Sequence, residues 1–303
     1  LSILLLFAAT ATTVSGAPAE AINSHSPTTD RLSTSSADAF QPSSDRTPEE
    51  EDLRSAPESR TVSPSTVGPP PATNTTRALE VLRVNEMWTD FDTRGENTTV
   101  AVLDSGVATD AHQSLTLADD GWNDFVSNRS EPLDDRNHGT ITAGILVGTE
   151  TQDGARFGVA PNATLLHGKV IDSDGTARTT NVLQGVEWAI EHPQQPDVVL
   201  INVGHKRVYY DRYIEAIERA RSAGIYVVVP AGNEGDGGIT SPGSVYSALS
   251  VGATNATGAV EDYSVGNTIS TRARWGEQPI YEYDWPESYV VPTVVAPATT
   301  VST

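Results

Sequence analysis

Asn137-His138-Gly139-Thr140-Ile141-Thr142-Ala143-Gly144 is the stretch around which the rest of the sequence is arranged. A histidine followed by Gly-Thr and then small or apolar residues reads as the first turn of a buried helix. The glycine and alanine let that helix approach a sheet closely. His138 then stands at the helix N-terminus on the rim of a cleft, where a neutral imidazole could take a proton from a nucleophile. Taken alone, a His-Gly-Thr is more often an ordinary loop-to-helix junction. Its neighbours in the chain decide between the two.

Upstream, Thr99-Val100-Ala101-Val102-Leu103-Asp104-Ser105-Gly106-Val107 is an apolar run that ends in Asp-Ser-Gly. This is the pattern of a strand buried on both faces, with a carboxylate at its C-terminal end and a tight turn after it. Downstream, Ile225-Tyr226-Val227-Val228-Val229-Pro230-Ala231-Gly232-Asn233-Glu234-Gly235 is a second such strand, ending in an asparagine among glycines. In open α/β sheets, ligands bind outside the carboxyl ends of the strands. Asp104, His138 and Asn233 thus form a constellation at element exits. The Asp can orient and charge-stabilise the His, the His can act as base, and the Asn amide can donate to an oxyanion.

The ordered set Asp-Ser-Gly, His-Gly-Thr, Ala-Gly-Asn resembles the subtilisin-like serine proteases, or subtilases, over roughly residues 78 to 303. The resemblance implies Asp104 as triad acid, His138 as general base and Asn233 as oxyanion-hole donor. It implies peptide-bond hydrolysis through an acyl-enzyme, with polypeptides as substrates. It also implies a nucleophilic serine in a Gly-Thr-Ser helix start after the strand resembled by Val291 to Pro297. No such motif occurs up to Thr303, and Ser105 and Ser302 do not sit in that context. The expectation is therefore a catalytic domain whose serine-bearing part lies outside this sequence. A secreted, non-catalytic binding module on the same scaffold is the alternative. A dinucleotide enzyme is disfavoured, because no strand exit carries a Gly-x-Gly-x-x-Gly turn.

Other positions depart from the family pattern. Family members often have an aspartate calcium ligand near Ser114, so calcium is conceivable but its usual ligands are altered; Asp153, in the loop Thr149 to Phe157, is a second weak candidate. His112 reads as a turn residue. Ile141 replaces the family's second histidine, and a change in packing is expected there. After Asn202 the usual Ser-Leu-Gly is replaced by Val203-Gly204-His205-Lys206-Arg207, so the specificity pocket wall must differ; His205 is expected to be exposed and not catalytic. The acidic stretch Glu131 to Arg136 reads as a solvated loop.

The remaining chain divides by composition. Leu1 to Ala17 is a short apolar stretch ending in small residues, too short to span a bilayer, and reads as a secretory signal whose beginning is missing. Residues 18–76 are rich in Ser, Thr, Pro, Asp and Glu, and read as disordered linker rather than a folded inhibitory propeptide. Residues 77–303 form the catalytic-type domain. There, apolar spacing predicts helices over the Arg77 to Asp90 lead-in, from Thr179 (Val182, Leu183, Val186, Ala189, Ile190) and around Tyr213, Ile214, Ile217 and Ala220. Strands are predicted at 164–170, 197–203, up to Thr254 and at 291–297. The alternation implies an α/β fold in three layers: a mostly parallel sheet with helices on both faces, incomplete at its C-terminal end.

The 303 residues contain no cysteine, which excludes disulfides and thiolate metal sites. The net charge is −21, from 40 acidic and 19 basic residues, and only Lys169 and Lys206 are lysines. No basic footprint for nucleic acid is present. So acidic a chain suits a high-salt habitat, where screening relieves self-repulsion. Sequons at Asn74, Asn97, Asn128, Asn162 and Asn255 fit an exported glycoprotein. A secreted monomer without a membrane anchor in its mature form is expected.

Overall fold

The computed structural model describes residues 77–109, 114–150, 156–255 and 257–298. The expected leader and linker, together with His112 and Asp153, lie outside these residues. In chain order the elements are α1 (Arg77–Val81), α2 (Val84–Asp90), β1 (Thr99–Asp104), β2 (Leu117–Asp124), α3 (His138–Val147), β3 (Thr164–Lys169), α4 (Thr179–Glu191), β4 (Val198–Ile201) and β5 (His205–Lys206). They continue with α5 (Arg212–Ser222), β6 (Tyr226–Pro230), β7 (Thr240–Ser241), β8 (Leu249–Thr254), β9 (Asn267–Ser270), α6 (Thr271–Trp275), α7 (Gln278–Tyr283), β10 (Ser288–Val291) and β11 (Val294–Pro297).

Seven strands form one parallel sheet in the order β11-β8-β6-β4-β1-β3-β2. Strand β1 is its hinge of topology: the chain first adds β2 and β3 on one side, then β4, β6, β8 and β11 on the other. That places the C-terminal end of β1 at the switch point, where α/β sheets open a crevice.

Side chains alternate along β1. Ala101 and Leu103 enter a core shared with Val182, Val186, Ala189, Tyr213, Ile214 and Ile217 of α4 and α5. Val100 and Val102 enter the opposite core, with Ala143, Leu146 and Val147 of α3 and with Leu79, Val84 and Trp88. Burial of such a side chain is worth about 1.5–3 kcal/mol. The same alternation aims Asp104, in phase with Val100 and Val102, toward the α3 layer. The fold is the expected three-layer α/β arrangement.

Three local expectations need correction. The lead-in is two helices, because Arg83 adopts φ 55° between them; Trp88 is anchored by its indole N–H donating to Val159 O at 2.8 Å. The stretch expected as one strand at 291–297 is split: Pro292 has no N–H to continue a ladder, so β10 closes an antiparallel pair with β9 and β11 starts anew beside β8. The sequence reading places no strand at Leu117–Asp124, yet β2 forms the sheet edge, with a register shift between Leu117 and Trp122. An edge strand needs no apolar run, and charged residues there discourage pairing with other chains.

The sequence reading also places no element between Thr254 and Val291. That segment builds β9, α6, α7 and β10 around Trp275, Trp285 and Tyr289, whose rings pack edge-on against one another and against Tyr209. Among the described residues no helix is long and apolar enough to cross a membrane.

Candidate active site

Asp104 ends β1 with its side chain fully buried, 0% exposed. Its two oxygens are divided among three donors. Oδ1 accepts from the Ser105 N–H at 2.6 Å and lies 2.7 Å from His138 Nδ1. Oδ2 accepts from Asn202 Nδ2 at 2.8 Å. Asn202 follows the last residue of β4, the strand next to β1, and its Nδ2 also lies 3.0 Å from Thr142 Oγ1 in α3. A carboxylate only accepts, so the Nδ1 of His138 carries the proton and the lone pair of the neutral ring is on Nε2.

Burial alone would make Asp104 hard to ionise. The hydrogen bond and charge of His138, helped by the Ser105 N–H, outweigh it and hold the carboxyl below its ordinary range. Burial likewise opposes protonation of His138, but the hydrogen bond and charge of Asp104 prevail and raise the imidazole above its ordinary value. The result is an oriented, strengthened base. Its side chain is 16% exposed. Nε2 is buried and has no hydrogen-bond partner among the described residues, so it is the atom that can take up a proton.

The close approach of the two motifs depends on their glycines. Gly106 has φ 118°, and a Cβ there would lie 1.9 Å from Leu133 O. A Cβ on Gly139 would lie 2.1 Å from Gly106 O. The Asp-Ser-Gly turn and the first turn of α3 therefore pack backbone against backbone, which is what brings His138 to Asp104. Ile141, one helical turn beyond His138, is exposed rather than repacked into the core.

Asn233 follows β6 in a half-buried loop. Its N–H donates to Glu234 Oε2 at 3.1 Å. Strand β6 is two places from β1 in the sheet, so at about 4.8 Å per strand the exits of the two strands are roughly 10 Å apart. The three residues singled out in the sequence thus share one edge of the sheet. His138 and Asp104 touch, and Asn233 stands further along.

The structure adds residues that the sequence reading passed over. Asp134 is not part of a solvated loop: it is 8% exposed and accepts from Ser105 Oγ, Arg136 N, Thr140 N and Thr140 Oγ1 at 2.7–3.0 Å. Lys169 is buried at the end of β3, donating to the Ser105 and Ile171 carbonyls and pairing with Asp135 at 3.2 Å. His167, two residues earlier on the same face, is fully buried, and burial pushes its pKa down to about 4. None of these shows a periodic or motif signal.

His205 is corrected as well. It is buried, not exposed: its Nε2 lies 2.9 Å from the Tyr213 hydroxyl, and Tyr210 and Tyr213 flank the ring. The segment that replaces the family's Ser-Leu-Gly forms β5, paired antiparallel with β7. Its Lys206 reaches Glu234 at 3.5 Å, next to Asn233. No group of three or more His, Asp or Glu side chains suited to a metal ion occurs among the described residues.

A sequence model of the subtilase family matches residues 95–300. The chain is similar to the "Serine protease AprX" of Bacillus subtilis (strain 168), 34% identical over 214 residues, which cover 66% of this chain and 47% of that protein. It is also similar to the "Intracellular serine protease" of Paenibacillus polymyxa, 33% identical, covering 63% of this chain and 59% of the relative. "Subtilisin NAT" of Bacillus subtilis subsp. natto is 34% identical, with 59% and 47% covered. The chain spans about half the length of these curated relatives.

Proposed function

The chain belongs to the subtilase family, and from that premise we propose that it serves as the acid–base part of a secreted serine endopeptidase acting on polypeptides. The observation that carries this is the 2.7 Å contact of His138 Nδ1 with an Asp104 that is buried, held by Asn202 and kept ionised. In the proposed reaction His138 Nε2 takes the proton of a serine hydroxyl as that oxygen attacks the peptide carbonyl. Asp104 stabilises the imidazolium, and the Asn233 amide donates to the oxyanion. His138 then returns the proton to the leaving amine.

The attacking hydroxyl must reach His138 Nε2, and no serine among the described residues does so. The second reading is a non-catalytic binding module on the same scaffold. A fluorophosphonate probe applied to the natural gene product separates them. Labelling of one serine, abolished by His138→Ala, supports the protease; no labelling of the folded protein supports the module. The apolar leader supports export, and the net charge of −21 with two lysines supports a high-salt habitat. Nucleic acid is not a partner on this reading, and the protein acts as a monomer.

A further inference from the structure

Helix α3 has an unusual beginning. The first N–H groups of a helix have no partner within it and are normally met by the side chain of the N-cap residue. Here the N-cap, Asn137, is left-handed at φ 60° and its side chain makes no cap bond. The Gly139 N–H donates instead to Ser105 Oγ at 3.0 Å, and the Thr140 N–H to Asp134 Oδ2 at 2.8 Å. Ser105 Oγ in turn donates to Asp134 Oδ1 at 2.8 Å. Thr140 Oγ1 donates to Asp134 Oδ2 at 2.7 Å and accepts from the Ala108 N–H at 3.0 Å.

The cap is therefore borrowed from two other parts of the chain. One is the residue that follows Asp104; the other is a buried carboxylate from the preceding loop. Four donors converge on the two oxygens of Asp134: Ser105 Oγ, Arg136 N, Thr140 N and Thr140 Oγ1. A carboxylate accepts all four. An amide accepts at one oxygen only and would present its NH2 to donors on the other side. Negative charge at this end of the helix is also favoured by the aligned peptide dipoles.

We propose that Asp134 is a positioning residue for the His138–Asp104 pair: through Ser105 and Thr140 it clamps the first turn of α3 to the end of β1, and so fixes where the imidazole stands against the carboxylate. Asp134 touches neither ring nor reacting atoms. Its relevance to turnover rests on the proposed protease reading, but the clamp itself does not. The other charged or titratable groups around the pair are Arg136 on the same loop, with His167 and Lys169 on β3 behind Asp104 and Asp135 paired to Lys169. All of them remain in the variants below.

The test reads the imidazole directly in the whole chain, by NMR with labelled histidine, whatever its hydrolytic activity. Asp134→Asn is expected to lower the titration midpoint of His138 and to remove or broaden the downfield Nδ1–H resonance that marks the bond to Asp104. Ser105→Ala breaks the link while leaving the Asp134 charge in place; it is expected to weaken the same resonance, and Ser105→Thr, which keeps the hydroxyl, to restore it. Asp134→Asn and Ser105→Ala proteins that melt earlier yet keep the wild-type midpoint and Nδ1–H signal would reduce Asp134 to an ordinary cap and overturn the proposal. If Asp134→Asn does not fold, the Ser105 pair decides alone. Failed fluorophosphonate labelling with an intact clamp would instead count against the protease reading.

Discussion

Asn202 holds the oxygen of Asp104 that His138 leaves unused: its Nδ2 lies 2.8 Å from Oδ2, while His138 Nδ1 lies 2.7 Å from Oδ1. A buried carboxylate is thus met on both sides, and β4 and α3 are tied to the end of β1 by one amide. Asn202→Ala leaves a fully buried acceptor with one oxygen unmet. The expected cost is about 1–3 kcal/mol, read as a lower Tm by calorimetry. An unchanged Tm would show that the amide contributes nothing to the fold.

The His138–Asp104 pair should leave a mark on stability against pH. The folded pKa of His138 is raised from 6.5, so its contribution is complete below the unfolded value and lost as pH rises through the folded one. The pKa of Asp104 is depressed from 3.8, so its contribution is present above the unfolded value and lost as pH falls through the folded one. The pair therefore stabilises most between about pH 4 and 6.5. The difference in Tm between wild type and His138→Gln should be largest in that window and shrink in alkali. A difference that grows above neutrality would contradict the assigned directions.

His167 behaves in the opposite sense. It is fully buried, and burial lowers its pKa to about 4. The unfolded chain takes up a proton below its ordinary value of about 6.5 and the folded chain does not. Stability is thus complete above that value and is lost as pH falls from about 6.5 to 4. At 1.36 kcal/mol per unit the loss is about 3 kcal/mol. His167→Leu, of similar volume and uncharged, should flatten this acid limb. Urea titrations of both proteins across the window measure it; parallel curves would mean that His167 does not titrate as described.

The charge balance of −21 predicts a fold that depends on salt. Thermal unfolding followed by circular dichroism should shift upward from dilute to molar potassium chloride. The same midpoint in both would remove the support for a high-salt habitat.

The central sheet, and the edge of it that carries Asp104, His138 and Asn233, are legible in the order of residues alone. Residues 100–103, 198–201 and 227–229 are apolar on both faces, and a strand with that pattern can only be buried between two layers. The alternation of such strands with helices of 3.6-residue period then dictated a parallel sheet. Asp104, His138 and Asn233 could be singled out because each ends or begins an element of recognisable pattern. Strand β2 escaped because an exposed edge carries acidic residues as readily as apolar ones.

Which polar residues surround Asp104 and His138 is set by folding. Asp134, Asn202, Lys169 and His167 sit in loops or strand ends whose local sequence would suit solvent equally well. Their burial follows from contacts across long separations in sequence: Ser105 with Asp134, Asp104 with Asn202, Lys169 with Ser105. A hydrogen bond of this kind has no period and no propensity to announce it. It exists because Gly106 and Gly139 let two turns of backbone meet, and polar groups shut in by that meeting had to find partners there.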